Sequence, residues 1–200
     1  MSLYQGVLCL NHISDEILKD AVPEVIIVRP TYFFEDFAPF LDAAKEDNPT
    51  IYSWITPIDY KFPMVSNQFR VKTKKINTDI THQVGLKDIA SSCVNSLLSS
   101  PAKPSPHYYK LFGPRAYGAN DPKEAVEEIT GKKVELKLVE KDQLLDYWKQ
   151  IVPEAHAEEF KEMTVAGLGD GIIGKDIKYD ENTVVGEQGL VDALRALYKK

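Results

Sequence analysis

Glycine is scarce where a dinucleotide-binding chain needs it: Gly6 is the only glycine before Gly85. A phosphate-cradling turn near the start of the chain, after a first strand, is therefore missing. The two cysteines, Cys9 and Cys93, match no metal or redox spacing and are expected as buried free thiols of a reducing compartment. The four histidines are spread out and form neither H-x-x-x-H nor H-E-x-x-H, so no zinc or other metal site is signalled. There is no G-x-S-x-G nucleophile elbow, and none of the ten tyrosines has a lysine four residues later. No basic leader precedes an apolar core at the N-terminus, and no segment reaches the roughly 20 apolar residues of a membrane span. These absences point to a cytoplasmic chain, or a nuclear one by diffusion, with no membrane contact.

The charge balance speaks against nucleic acid. Twenty-four Lys and Arg against 30 Asp and Glu leave a net charge of −6, where a nucleic-acid binder shows a basic patch. The local basic run Arg70-Val71-Lys72-Thr73-Lys74-Lys75 reads as a solvated loop or edge strand. Two hundred residues, 44% of them hydrophobic, suffice for a packed core.

The most informative stretch is V-I-I-V-R-P-T-Y-F-F-E-D-F at 25–37. Four β-branched residues, Val25 to Val28, predict a strand buried on both faces, as in parallel sheets covered by helices. Arg29-Pro30 ends it, because proline has no N–H for the ladder. The aromatics and acids that follow lie where open α/β sheets bind ligands. Glu35 and Asp36 suit acid–base chemistry, but a helix N-terminus accounts for them equally.

Before this strand, Val7 to Leu10 reads as a strand remnant. A helix over Asn11 to Asp20 is expected, capped by Ser14. After it, Thr31 to Glu46 is expected to become a helix near Glu35, with Pro39 in its first turn. Strands are expected at Ile51 to Ile55 and Tyr108 to Phe112, a hairpin arm at Gln68 to Ile76, and an alternating strand over Val134, Leu136 and Leu138. Ile89, Cys93, Val94, Leu97 and Leu98 recur at helical spacing. Asp121, Pro122 and Glu124 open a further helix as a capping box, and Gly131 closes it. Helices follow at Gln143 to Ile151, Glu154 to Thr164 and Leu190 to Leu197.

Gly169 to Gly174 spells G-x-G-x-x-G, and Lys175 nearly completes a P-loop. Both matches fail on context. A phosphate loop follows a strand and opens a helix. Here a helix comes first, and Asp176 stands where a Mg²⁺-binding hydroxyl belongs. A flexible glycine loop is the expectation.

Four motifs in order carry a resemblance: 25–37 above, V-G-L-K-D-I-A at 84–90, Y-Y-K-L-F-G-P-R-A-Y at 108–117, and E-A-V-E-E-I-T-G-K-K-V-E-L at 124–136. They resemble the NmrA-like family of atypical short-chain dehydrogenase/reductase proteins, in particular its fungal members, over roughly residues 8–197. The resemblance implies an α/β fold: a partial Rossmann-like parallel sheet in residues 1–100, with a smaller α+β substrate-side region in 101–200, interleaved with the first. It implies that Pro30, Thr31, Tyr32 and Phe33 pass over the nicotinamide end of NAD(P)H. Phe34, Tyr52, Trp54, His82 and Val84 would wall a pocket for a small, apolar substrate reduced by hydride transfer. Catalytic residues are not assigned.

Two departures stand out. Asn11 occupies the position where many relatives carry a lysine, and Glu35-Asp36 replaces the usual Glu-Asn. The family's N-terminal glycine-rich strand–turn–helix has no counterpart, so the expectation is a truncated protein, not competent alone, that has lost the cofactor's main anchor. The alternative is a regulatory or protein-binding module that senses nicotinamide dinucleotides. In either case an exposed sheet edge, open to oligomerisation, is expected.

Overall fold

The computed structural model of the chain describes residues 8–66, 87–98, 105–175 and 177–198. The expected hairpin arm at 68–76, the basic run at 70–75, His82 and Val84 lie outside them.

Three small sheets organise the chain. The first is parallel, with β1 (Ile26–Pro30), β5 (His107–Phe112) and β8 (Thr183–Val185) side by side in that order. Ile26 stands opposite His107, Pro30 opposite Leu111, and Lys110 opposite Thr183. In the second, β4 (Lys61–Val65) runs parallel to the two-residue β2 (Tyr32–Phe33) and antiparallel to β6 (Ala116–Gly118). The third pairs β3 (Thr50–Ser53) with β7 (Glu135–Leu138) in parallel. Parallel pairing demands long crossovers, and seven helices supply them or flank them: α1 (Cys9–Leu18), α2 (Ala38–Ala43), α3 (Lys87–Leu98), α4 (Asn120–Thr130), α5 (Leu144–Lys149), α6 (Glu154–Gly167) and α7 (Leu190–Tyr198). The result is α/β, with a parallel Rossmann-like sheet and smaller added elements. No helix among the described residues is long and apolar enough to cross a membrane.

The hydrophobic core lies away from the β1–β5–β8 sheet. Phe34, Ile51, Ile55, Met64, Leu144 and Leu194 are all fully enclosed between the two smaller sheets and the later helices. β1 corrects the expectation of a strand buried on both faces: Ile26 to Arg29 are half-buried and Pro30 is exposed. It is an edge strand, with β5 on one side and no second strand on the other among the described residues. A strand needs neighbours and a helix on each face to be enclosed.

Several local expectations also change. Cys9 and Leu10 belong to α1, not to a strand remnant, and Ser14 sits inside the helix rather than capping it. The chain after Thr31 winds as a 3-10 turn over Phe34–Phe37 before α2, which does carry Pro39 in its first turn but ends at Ala43. Asp121 does not cap α4; its carboxylate accepts the Gly118 amide at 2.7 Å and ties the end of β6 to the helix. Gly131 closes α4 in the left-handed region, φ 73°, where a side chain is disfavoured. The thiols of Cys9 and Cys93 are free but only half-buried.

The Gly169–Gly174 segment is not a loose loop. The Ile173 and Gly174 amides both donate to the Ala166 carbonyl, at 2.9 and 3.1 Å, and Gly171 donates to Leu168 at 2.7 Å. A Cβ on Gly174 would lie 1.9 Å from the Leu168 carbonyl oxygen. The segment is a tight turn that satisfies the last carbonyls of α6. That helix end carries partial negative charge, the wrong sign for phosphate.

Glu127 locks α4 to β7. It accepts the Val134 amide at 2.9 Å and pairs with Lys123 and Lys133 at 3.2 and 3.1 Å. The amide bond first, then the two lysines, hold its pKa down at about 2. A carboxyl depressed in the folded state stabilises it above its ordinary value and loses that contribution as pH falls. Denaturation of wild type and Glu127→Gln should therefore differ most above pH 4.5 and converge as pH drops towards 2.

Candidate functional site

Beyond the C-terminal ends of β1 and β5 the chain switches sheets, and this junction builds the site. Pro30 is exposed there. The Thr31 amide donates to the Leu111 carbonyl at 3.3 Å, and the Thr31 hydroxyl is enclosed with no hydrogen-bond partner among the described residues. Tyr32 and Phe33 then pair with Met64 and Val65. Pairing to β4 in this register turns the Tyr32 ring onto a shelf of other rings. Trp54 meets it edge-on at 5.0 Å, Phe37 lies at 5.6 Å, and Phe62 lies at 6.4 Å. Phe62 in turn contacts Trp54 at 6.0 Å and stacks on Tyr60 at 5.7 Å and 18°. Such offset and edge contacts add to the burial of each ring.

Trp54 and Phe62 are buried in the core, and of these rings Tyr60 lines an open cleft of about 890 Å³. Its walls are the Thr56–Tyr60 connection, the segment from Leu138 to Asp142, and the glycine turn at Gly169-Asp170. Tyr60 joins shelf and cleft: its hydroxyl donates to the Gly167 carbonyl at 2.9 Å, and its ring lies so close to Gly169 that a Cβ there would be 2.9 Å away. Lys141 pairs with Asp170 across the rim. The G-x-G-x-x-G segment, discounted as a phosphate loop, thus serves as a cleft wall.

The residues expected at the site are distributed as follows. Tyr32 and Trp54 meet directly. Phe34 is fully buried and packs on Tyr117 at 4.9 Å, behind the shelf. Tyr52 is half exposed on β3 and joins none of the ring contacts. Phe62 is the ring that the sequence does not single out; Tyr60 is already one of the tyrosines expected near the pocket, and Gly169 is expected only in a flexible loop. The Tyr60-Lys61-Phe62 alternation ahead of Pro63 was the available signal.

Polar groups gather at the shelf's edge. Burial, then the nearby Asp36 charge, then Tyr147, push the Tyr32 phenol far up. Tyr32 therefore stays neutral and offers a hydrogen bond rather than a proton-accepting phenolate. Ser66 donates to Glu35 at 2.7 Å. Asp36 keeps solvent access on one side, yet the dense protein around its carboxyl, followed by the Glu35 charge, raises its pKa to about 6. A carboxyl with that value can exchange a proton near neutral pH. Among the described residues no cluster of His, Cys, Asp and Glu could hold a metal ion.

At the opposite side of the junction, Asp88 opens α3 as a buried carboxylate, accepting the Gln188 amide at 3.4 Å. Gly186 lies against it, where a Cβ would meet the carboxylate at 2.3 Å. The Asp of the V-G-L-K-D-I-A motif thus clamps α3 to the chain leaving β8.

No family model matches the chain, and no curated protein matches it. Solved structures do. It is similar to an NADPH-dependent quinone oxidoreductase of Escherichia coli, complexed with NADPH, with a TM-score of 0.67 and 16% identity over 98% of this chain and 61% of that one. It is similar to the triphenylmethane reductase of Citrobacter sp., complexed with NADP(H), with a TM-score of 0.61 and 15% identity over 94% of this chain and 59% of that one. A nucleoside-diphosphate-sugar epimerase of Staphylococcus aureus matches with a TM-score of 0.54 and 15% identity, over 92% and 56%. At these identities the likeness is one of fold, a Rossmann-like α/β fold. The chain spans about three-fifths of the length of the structures it matches.

The carboxyl ¹³C shift of Asp36 should titrate with a midpoint near 6. Glu35→Gln should lower that midpoint, and Asp36→Asn should erase the transition. A midpoint unchanged in Glu35→Gln would show that Glu35 carries no part of the shift.

Proposed function

We propose that the chain is the substrate-side part of an NmrA-like, NAD(P)H-dependent reductase architecture, and that it is not catalytically competent by itself. The observation that carries this reading is the aromatic shelf Tyr32–Trp54–Phe62–Tyr60. It begins at the C-terminal end of the parallel sheet and leads into the cleft. The cleft, walled by Pro57, Ile58, Tyr60 and Leu138 with charged groups at its rim, suits a small aromatic or quinone-like molecule. Pro30, Thr31, Tyr32 and Phe33 would lie at the nicotinamide end of the cofactor, beyond the C-terminal end of β1 where Pro30 is exposed. The pyrophosphate is poorly provided for: the amides of Gly171, Ile173 and Gly174 are already engaged by α6, and in the passage from β8 to α7 through Gly186 and Gly189 the Gly186 amide donates to the Phe112 carbonyl at 2.7 Å and the Asp88 carboxylate takes the Gln188 amide, which puts negative charge where a phosphate would sit.

A second reading, a nicotinamide-dinucleotide-sensing or protein-binding module, is supported by the apolar stripes that α1 and α3 present to solvent.

Trp54 and Trp148 are the chain's two tryptophans. Menadione should quench Trp54 fluorescence, and Trp54→Phe should abolish that change. Calorimetric titration with NADPH should give binding weaker than micromolar and no turnover with menadione. Micromolar binding with turnover would sink the view that the chain is incompetent alone, and the absence of quenching would sink the aromatic shelf as a substrate wall.

A further inference from the structure

The Tyr60 ring, which lines the cleft, is held at three points. Its face stacks on Phe62 at 5.7 Å and 18°, and Phe62 is itself buried and has nowhere to retreat. Its hydroxyl donates to the Gly167 carbonyl at 2.9 Å. Its edge lies against Gly169, where a Cβ would stand 2.9 Å from both Cδ2 and Cε2. No side chain fits at 169 while the ring keeps this place. The backbone there does not ask for glycine, since among the described residues only Gly131 has a positive φ. What excludes a side chain at 169 is the Tyr60 ring.

The turn that carries Gly169 cannot give way instead. Its amides at Gly171, Ile173 and Gly174 are bonded to the Leu168 and Ala166 carbonyls. A Cβ on Gly171 would lie 2.3 Å from the Val165 and Ala166 carbonyl oxygens, so backbone packs on backbone throughout. Lys141 pairs with Asp170, the next residue, and ties the turn to the Leu138–Asp142 wall. With Phe62 behind the ring and the turn along its edge, the side left open to Tyr60 is the cleft.

We infer that Gly169 is the specificity-determining residue of the cleft: by letting the Tyr60 ring lie against the turn, it keeps the cleft wide enough for a fused-ring aromatic acceptor. A side chain at 169 would break the bond to Gly167, drive the ring into the cleft and leave room for single-ring molecules only. The width matters because the cleft, about 890 Å³, stands near the upper end of the roughly 300–1,000 Å³ of small-molecule sites. The inference rests on the reading of this cleft as the substrate site.

Calorimetric binding of a one-ring and a three-ring quinone, 2,6-dimethylbenzoquinone and 9,10-phenanthrenequinone, to the full chain tests it. Gly169→Ala should weaken the three-ring quinone by about tenfold or more and change the one-ring quinone by less than about twofold. The double variant Gly169→Ala/Tyr60→Ala should bind the three-ring quinone as Tyr60→Ala alone does. That non-additivity separates an effect exerted through the ring from general damage to the turn. In the wild type, with no ligand, a Gly169 Hα proton should show a strong nuclear Overhauser contact to the Tyr60 ring, a readout that does not depend on how any variant folds. Absence of that contact, an equal loss of both quinones in Gly169→Ala, no loss of the three-ring one, or additive effects in the double variant would overturn the inference and leave the cleft standing as the substrate site. Failure of the wild type to bind either quinone would overturn that reading and the inference with it.

Discussion

The approach of Gly113 to the Met64 backbone joins the parallel sheet to everything that forms the site. At the end of β5 a Cβ would lie 2.0 Å from the Met64 carbonyl oxygen and 3.2 Å from Phe34 Cζ. Only glycine lets β4 pass this close. Because it does, Tyr32 and Phe33 reach their partners on β4, Phe34 drops into the core against Tyr117, and the Tyr179 hydroxyl closes the junction by donating to the Gly113 carbonyl at 2.9 Å. The aromatic shelf is a consequence of that one contact, since the register of β2 on β4 aims the Tyr32 ring at Trp54 and Phe62.

Stability and openness are distributed unevenly as a result. The later helices and two small sheets enclose large side chains completely, with Trp148 donating to Thr164 at 3.0 Å to bind α5 to α6. The β1 side is thin by comparison: an edge strand, a helix with nothing buried, and a second helix whose apolar stripe faces out. The same region holds Thr31, at the end where a cofactor would meet the chain. A surface that covers α1 and α3 would therefore also steady the strand that delivers Thr31 and Tyr32 to the site.

Much of the architecture could be read from residue patterns. The strands at Val25 to Pro30, Tyr108 to Phe112 and Val134 to Leu138, and the helices ending at Gly131 or beginning near Leu190, follow from β-branched runs, apolar periodicity and a glycine stop. What could not be read were properties that depend on neighbours far away in sequence. Val25 to Val28 have the composition of an enclosed strand, yet their enclosure depends on whether another strand stands beside them. Asp121 has the spacing of a helix cap, but the Gly118 amide competes for its carboxylate. The glycines at 169–174 have the spacing of a phosphate loop, but their amides are engaged by the end of the preceding helix.

The candidate site divides along the same line. Sequence alone determined that aromatic and acidic residues follow a β-branched strand ending in Arg-Pro, because local backbone preferences and proline's missing N–H act without tertiary help. It also determined that the chain has little glycine with which to hold a dinucleotide's phosphates. Tertiary structure decided which aromatics meet: Tyr32, Trp54, Phe62 and Tyr60 gather in and against the core, Phe34 packs there on Tyr117 instead, and Tyr52 goes to the surface. It also decided that the Asp36 carboxyl is pushed up to about 6 and that α3 buries Asp88 and Ser92 while Val94, Leu97 and Leu98 face out. Side-chain direction in paired strands is set by register, and carboxylate pKa by the surrounding density of protein and charge. Neither quantity exists until segments distant in the chain have come together.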